Sequence, residues 1–170
     1  EAVAKAREES RTARDAPSAE GEDAAARQAE VIRLERVLEV RQAQAETAAA
    51  AVDSLQLLIS VRNTQSSLWK QRYEFAHTDD YAQLEDVRRL VEERIEGIES
   101  WRKYFESNLR KAESLVRTLQ GRLASWRPEM GDEELARQEL EALERREEMF
   151  RRGVSQINDL ARLLQIGRAH

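Results

Sequence analysis

A heptad repeat of apolar residues, held from residue 31 to residue 76, constrains this chain more than any other feature of its sequence. The first and fourth positions of the repeat are mostly apolar: Val31, Leu34, Leu38, Arg41, Ala45, Ala48, Val52, Leu55, Ile59, Arg62, Ser66, Trp69, Tyr73 and Ala76. A 3.5-residue spacing keeps one stripe on a single helix face, which is the signature of a coiled coil. The repeat therefore predicts a long helix, from about residue 22 to residue 76, that packs alongside other helices.

Two more segments carry the same spacing. A second long helix follows the turn at 77–80, whose residues suit a helix N-cap, and its predicted seam runs to Trp126. The seam of this helix is Leu84, Arg88, Val91, Ile95, Ile98, Arg102, Phe105, Leu109, Ala112, Val116, Leu119, Leu123 and Trp126. A third helix follows the turn at 127–131, where Pro128 disfavours helical geometry in the residue before it. Its seam is Ala136, Leu140, Leu143, Glu147, Phe150, Val154, Ile157, Ala161 and Leu164, with Gly153 as a weak point beside it.

Short turns between long helices make consecutive helices run antiparallel. We therefore predict an all-α fold: an elongated antiparallel coiled-coil hairpin of long helices, with a third helix packed at one end. Alanine in place of Ile95 or Phe105 is expected to cost about 2–5 kcal/mol of stability. The residues expected to be buried between the first two long helices are Val52, Leu55, Ile59, Val91, Ile95, Ile98, Phe105 and Leu109.

The ends of the chain differ from its middle. Residues 1–17 are predicted to form a polar helical N-terminal segment, and residues 18–164 the coiled-coil domain. Residues 165–170 are predicted to be a non-native tail, because Ile166–His170 resembles the translation of a sequencing adapter. The alternative is an ordinary tail after a glycine helix stop. On the adapter interpretation both natural termini are missing, so the lack of a signal sequence says nothing about compartment.

The composition excludes several classes of function. The chain has no cysteine, so it has no disulfide framework, zinc-thiolate site or cysteine nucleophile. Acidic and basic residues are well mixed at a net charge of -5, which leaves no basic stripe for nucleic acid. No run of 18 apolar residues occurs, so no transmembrane segment is predicted within this sequence.

Candidate chemical groups are few. His77, Asp79 and Asp80 could be metal ligands, but a turn offers neither a fourth ligand nor fixed geometry, so we interpret them as a helix cap. Paired carboxylates catalyse only in a cleft that separates their pKa values. The acidic clusters are therefore interpreted as solvated surface: Glu92–Glu93, Asp132–Glu134 and Glu147–Glu148. The sequence predicts no catalytic, cofactor-binding or metal-binding residue, no cofactor and no enzymatic activity.

Arginines interrupt the predicted seams. Arginine can lay its stem along a seam and keep its charge in water. We expect these residues to fix helix register by pairing with glutamates on a facing helix. They are Arg41, Arg62, Arg88 and Arg102.

The most distinctive feature of the sequence is a set of aromatic residues at the end of the first long helix, in the middle of the second and at its end. Aromatic side chains at helical spacing usually pack in a core, and this interpretation carries more weight. The alternative is a partner-docking patch, because Trp and Tyr are favoured anchors at interfaces. The candidate interaction patch consists of Trp69, Arg72, Tyr73, Trp101, Tyr104 and Trp126.

Three segments occur in an order that resembles a known family: Leu57–Arg62, then Leu68–Tyr73, then Trp101–Tyr104, followed by an Arg/Glu-rich helix. This order resembles the helical extramembrane region that precedes the transmembrane helices in bacterial mechanosensitive channels of the small-conductance (MscS/MscK-like) superfamily. The resemblance implies a periplasmic location in an inner-membrane protein, a homo-oligomer, and membrane attachment through sequence that follows this chain. It assigns no catalytic or ligand residue.

Three classes of function remain open. The first, which we expect, is a non-enzymatic extramembrane domain of a mechanosensitive ion channel, partnered by self-association or by neighbouring helical segments. The second is a coiled-coil scaffold or adaptor, cytoplasmic or periplasmic, that is not attached to a channel. The third is an enzyme or sensor whose active domain lies elsewhere in the full protein. The sequence that follows Leu164 in the full reading frame distinguishes the three.

Overall fold

A computed structural model describes the backbone of residues 1–15, 22–75 and 82–166, and the side chains of residues 1–15, 24–71, 73, 89 and 96–162. Every regular element in these ranges is helical, which confirms the all-α prediction. The elements are α1 (Ala2–Asp15), α2 (Glu22–Phe75), α3 (Ala82–Ala124), a short 3-10 helix (Pro128–Met130) and α4 (Glu133–Ile166). The turn predicted at 127–131 is confirmed, and the turn predicted at 77–80 lies outside the described residues. The elongated coiled-coil hairpin stays a prediction.

The chain divides into two compact units. The first consists of Glu1–Ala50 and Lys111–Glu147, and the second of Ala51–Arg110 and Glu148–His170. Helix α1 belongs to the first unit, whereas α2, α3 and α4 each contribute residues to both.

One apolar cluster of the first unit lies between α3 and α4. Val116 and Leu119 of α3 are buried with Leu143 of α4, and Leu123 and Leu140 pack against them. All five are predicted seam residues, so the seams of the second and third long helices are confirmed here.

A capped turn joins α3 to α4 in this unit. The Asp132 carboxylate accepts a hydrogen bond from the Glu134 N–H at 2.9 Å, which caps the start of α4. Gly131 has a backbone φ of 93°, which residues other than glycine rarely adopt. A Cβ at Gly131 would also lie 3.1 Å from Cγ2 of Ile32, so glycine lets the turn approach α2 closely.

The core of the second unit combines aromatic and aliphatic side chains. The Phe105 ring packs edge-on against Tyr104 and Phe150, with ring centres 5.3 and 6.3 Å away. Such edge-to-face pairs stabilise a core beyond the area they bury. Among the described residues of this unit, the buried apolar side chains are Val61, Ile98, Phe105, Phe150, Ile157 and Leu160.

The predicted register of α2 is wrong in the second unit. Val52, Leu55 and Ile59 were expected to be buried, but they are 55%, 60% and 60% exposed. Helix α2 is buried instead along a second face that also has heptad spacing. This face, called here the small-residue face, consists of Val40 and Ala43 in the first unit and Ser54 and Val61 in the second. The physical reason is that α3 and α4 supply the bulky core side chains. These side chains pack most closely when the facing side chains of α2 are small.

The rest of the predicted core follows α3. Ile98 and Phe105 are buried, and Leu109 is half-buried. The prediction placed them between the first two long helices, whereas Phe105 packs against Phe150 and Gly153 of α4. The side chains of Val91 and Ile95 lie outside the described residues.

Close packing in the second unit requires glycine at position 153, whereas the sequence suggested that Gly153 weakens the helix. It is buried in α4, and a Cβ there would lie 2.2 Å from Cδ1 of the Phe105 ring. We expect Gly153→Ala to destabilise the chain, because overpacking a core costs about 1–3 kcal/mol and outweighs the helix-propensity gain of about 1 kcal/mol. Thermal unfolding followed by circular dichroism measures the effect.

The matched control for this substitution is Gly121→Ala. Gly121 lies within α3, and a Cβ there would meet nothing within 4 Å. This variant should be stabilised by up to about 1 kcal/mol. Stabilisation by both substitutions would show that Gly153 does not contact Phe105.

Candidate functional site

Arg36 of α2 is a buried charge in the first unit, with 4% of the residue exposed. Its Nη1 donates to the Glu139 carboxylate on α4 at 3.2 Å, and also to Glu39 on its own helix. The guanidinium carbon lies 5.0 Å from the centre of the Trp126 ring, a distance that allows a cation–π interaction. Its Nε and Nη2 are buried without a hydrogen-bond acceptor among the described residues. Arg36 therefore connects α2 to both α4 and the end of α3.

The carboxylate that pairs with Arg36 is itself partly desolvated. Burial raises the pKa of Glu139, and the nearby negative charge of Glu39 adds to the rise. The positive charges of Arg36 and Arg122 oppose it. Burial and like charge therefore outweigh the Arg36 contact, so the ion pair is a weak source of net stability.

Trp126 packs inside the first unit as well. Its indole N–H donates to the Gly131 carbonyl oxygen at 3.2 Å, which ties the side chain to the α3–α4 turn. The Arg36 guanidinium covers its ring. Trp126 therefore has a structural role in holding the turn against α2.

Arg146 forms a second connection between α4 and α2 in the same unit. Its Nη2 donates to the Ala43 carbonyl at 3.0 Å, its Nε to the Thr47 hydroxyl at 3.1 Å and its Nη1 to Glu46 at 3.1 Å. The Thr47 hydroxyl also lies 3.0 Å from the Ala142 carbonyl. All three nitrogens of one guanidinium are thus used to join two helices.

Three of the four arginines selected from the sequence do not have this role in the structure. Arg41 donates to Gln44 and Arg62 to Gln65, each on the same helix, and both arginines are exposed. Arg102 pairs with Glu106, also on its own helix, and the side chain of Arg88 lies outside the described residues. Arg36 and Arg146 make the contacts between helices instead. One sequence signal could have identified Arg36: it lies seven residues before Ala43, on the small-residue face of α2.

The six residues of the candidate interaction patch lie in different environments. Trp69 and Tyr73 are 52% and 69% exposed. Trp101 and Tyr104 are half-buried, and Tyr104 belongs to the aromatic core with Phe105 and Phe150. Trp126 belongs to the first unit and the other five to the second, and the Arg72 side chain lies outside the described residues. Partner binding by these residues stays a prediction.

Ser54 is a buried polar residue beside Tyr104. Burial and the negative charge of Asp53 raise the pKa of Tyr104, and the nearby Ser54 hydroxyl opposes the rise. Ser54 is 0% exposed, yet its hydroxyl makes no hydrogen bond of ordinary geometry within the described part of the chain.

We expect Ser54→Ala to stabilise the chain by about 1 kcal/mol, because a buried hydroxyl without a partner costs about 1–3 kcal/mol. Urea unfolding measures the difference, with Ser60→Ala as the control. Ser60 bonds the Gln56 carbonyl on its own helix, so its replacement should change stability by less than about 0.5 kcal/mol. A destabilised Ser54→Ala variant would mean that the hydroxyl is satisfied after all.

The exposed face of α2 carries the largest group of solvent-facing apolar side chains described in the second unit. Val52, Leu55 and Ile59 follow one another at intervals of three and four residues and are called here the α2 stripe. Two exposed charged residues, Asp53 and Arg62, lie near its two ends. This surface has the spacing and polarity of half a helix–helix interface.

The described ranges bear on three kinds of site: a metal site, an open groove and a membrane span. No cluster of three potential ligands from His, Asp or Glu could hold a metal ion there. An open groove between α1 and α2 is lined by charged residues, but Arg11 already pairs with Glu8 and Arg14 with Glu35. No helix in these ranges combines the length and the apolar character needed to cross a bilayer.

Comparisons with protein-family models, with curated proteins and with solved structures found no match to this chain. Its function is therefore proposed from the order of its sequence segments and from the contacts and exposures of its own residues.

Proposed function

We propose that this chain is a non-enzymatic helical module with a structural and assembly role, and that it forms the extramembrane part of a bacterial mechanosensitive channel. The observation that carries the structural role is that a buried and a partly buried arginine form hydrogen bonds between helices. Arg36 and Arg146 both reach from one helix to the next. Contacts of this kind hold helices in register.

The α2 stripe supports the assembly role. An enzyme concentrates its exposed apolar surface in a concave pocket. Here Val52, Leu55 and Ile59 lie along one convex helix face at coiled-coil spacing. Such a face suits contact with another helix, either from a second copy or from a neighbouring segment of a larger protein.

The channel assignment rests on the order of three segments: Leu57–Arg62, Leu68–Tyr73 and Trp101–Tyr104. In this proposal the module lies in the periplasm and is attached to the membrane by sequence that follows residue 164. Arg146 joins α4 to α2, so these two helices resist sliding past each other. A movement of one part of an oligomer is therefore passed on to another part through them. The role requires stiffness and contact surfaces, and no catalytic residue.

The test is to recover the full reading frame, reconstitute its product in liposomes and record currents under applied membrane tension. Apolar transmembrane helices after residue 164, together with tension-gated currents, are the expected result. A frame that continues as a polar coiled coil would favour a scaffold, and a catalytic domain would favour an enzyme; either contradicts the proposal.

A matched pair of variants tests the structural role within the same protein. Arg146→Ala removes the contacts to Ala43, Glu46 and Thr47, so it should shift the tension at which the channel opens. Among the described residues, its neighbour Arg145 pairs with Glu141 on the same helix, so Arg145→Ala should leave the threshold unchanged. If both variants and the wild type open at the same tension, the α2–α4 contact made by Arg146 does not affect gating.

A further inference from the structure

We propose that the α2 stripe binds the same stripe of a second copy of this chain, with the two α2 helices antiparallel. The inference goes beyond the proposed function, because it holds for the chain in solution whether or not a channel is attached. It names the partner of the stripe as another copy.

The first argument is the exposure of the stripe. Val52, Leu55 and Ile59 are each more than half exposed, although smaller residues of the same helix are buried. Their intervals of three and four residues place them on one line along the helix. A line of this kind buries its apolar surface best against a second line of the same spacing, which is how two helices form a coiled coil.

The second argument is charge complementarity. Arg62 occupies the next position of the stripe after Ile59, and Asp53 follows Val52 at the other end. In an antiparallel pair, Arg62 of each copy lies in the layer of Val52 of the other copy and close to its Asp53. In a parallel pair, Arg62 would face Arg62 inside the seam, and like charges there are unfavourable. Arg62 and Asp53 therefore select the antiparallel orientation.

The third argument is symmetry. When Val52 lies opposite Arg62 of the second copy, Leu55 lies opposite Ile59, and the two-fold axis passes near residue 57. Every contact then occurs twice, as the symmetry of a two-fold homodimer requires. The two central layers are fully apolar and the outer layers carry the charges, which is the usual arrangement of an interface.

Sedimentation equilibrium of the whole 170-residue chain over a range of concentrations tests the association. The wild-type chain should form a dimer, and the double variant L55Q/I59Q should be a monomer with unchanged helical circular dichroism, since both side chains are exposed. L115Q is the matched control, because Leu115 is an exposed leucine on α3 outside the stripe, and it should leave the dimer intact. A monomeric wild-type chain, or a dimer that L55Q/I59Q leaves intact, overturns the proposal.

Charge reversal tests the two ends of the stripe. D53R and R62D should each weaken the dimer by about tenfold, because each creates like charges across the interface. The double variant D53R/R62D restores opposite charges in every pair and should recover most of the wild-type affinity. Failure of the double variant to recover affinity, with both single variants weakened, contradicts the pairing of Asp53 with Arg62.

Disulfide cross-linking tests the orientation, since the chain has no cysteine of its own. A mixture of L55C chains and I59C chains should cross-link to each other, because residues 55 and 59 face each other in the antiparallel pair. Each variant alone should cross-link poorly, because its cysteine is offset from its own copy beyond disulfide reach. Strong cross-linking of each variant with itself is the parallel result and overturns the proposal.

Discussion

Replacing Phe105 with alanine should lower the free energy of unfolding by about 3–5 kcal/mol. Phe105 is 0% exposed, and its ring packs edge-on against Tyr104 and Phe150. Gly153 also lies against this ring, because a Cβ at Gly153 would be 2.2 Å from Cδ1 of Phe105. Truncation removes the ring–ring contacts and leaves a cavity that two helices cannot close without shifting their axes. Urea unfolding followed by circular dichroism at low chain concentration measures the loss.

The control for Phe105 is an apolar residue on the same helix with one face in water. Leu115 is 46% exposed, and Leu115→Ala should change stability by less than about 0.5 kcal/mol. Losses of similar size in the two variants would contradict the placement of Phe105 at the centre of the second unit.

Arg36→Met should destabilise the chain by about 3 kcal/mol at neutral pH. Methionine keeps the apolar contact with Trp126 but removes the positive charge that lies between Glu139 and Glu39. The Glu139 carboxylate is then partly buried beside a like charge without its nearest cation. The loss therefore comes mainly from the uncompensated carboxylate and much less from lost packing.

The pH dependence of this variant distinguishes the two causes. The pKa of Glu139 is already raised by burial, and removal of Arg36 raises it further. An acid whose pKa is higher in the folded state than in the unfolded state binds its proton more tightly when folded, so stability is gained as pH falls through the folded pKa. The deficit of Arg36→Met relative to wild type should therefore shrink as the pH is lowered from 7 towards 5. A deficit that is constant with pH would assign the loss to packing.

A double replacement completes this experiment. Arg36→Met/Glu139→Gln removes both members of the buried pair and leaves Glu39, whose side chain is 49% exposed and remains hydrated. Buried ion pairs replaced as a whole by neutral groups are often neutral or stabilising. We expect the double variant to be close to wild type in stability, and a double variant as unstable as Arg36→Met would contradict this account of Glu139.

The α3 and α4 packing could be predicted because each helix carries a single apolar stripe. Residues at seven-residue intervals in α4, namely Ala136, Leu143, Phe150 and Ile157, are all buried. Helix α2 carries two faces with heptad spacing, and the sequence does not show which of them its neighbours cover. The larger side chains favoured the face of Leu55, whereas packing against the bulky rings of α3 and α4 required the face of Ser54.

The buried polar residues could be predicted less well. Arg36 and Arg146 resemble many other arginines in a chain that is 36% charged, and such residues usually lie in solvent. Their burial depends on contacts between distant segments, such as Trp126 with Arg36 and Thr47 with Arg146. The role of Gly153 was equally hard to predict, because it depends on the space that this glycine leaves for the Phe105 ring on α3.

The central claim is that α2 packs through its small-residue face and leaves the α2 stripe outside. Single cysteines test it directly in this cysteine-free chain, by the rate at which a thiol reagent modifies S54C, V61C, V52C and I59C under native conditions. At concentrations low enough to separate the copies, V52C and I59C should react freely, whereas S54C and V61C should react at least about tenfold more slowly, because they require local unfolding. Fast modification of S54C and V61C, with V52C and I59C protected, would contradict the account.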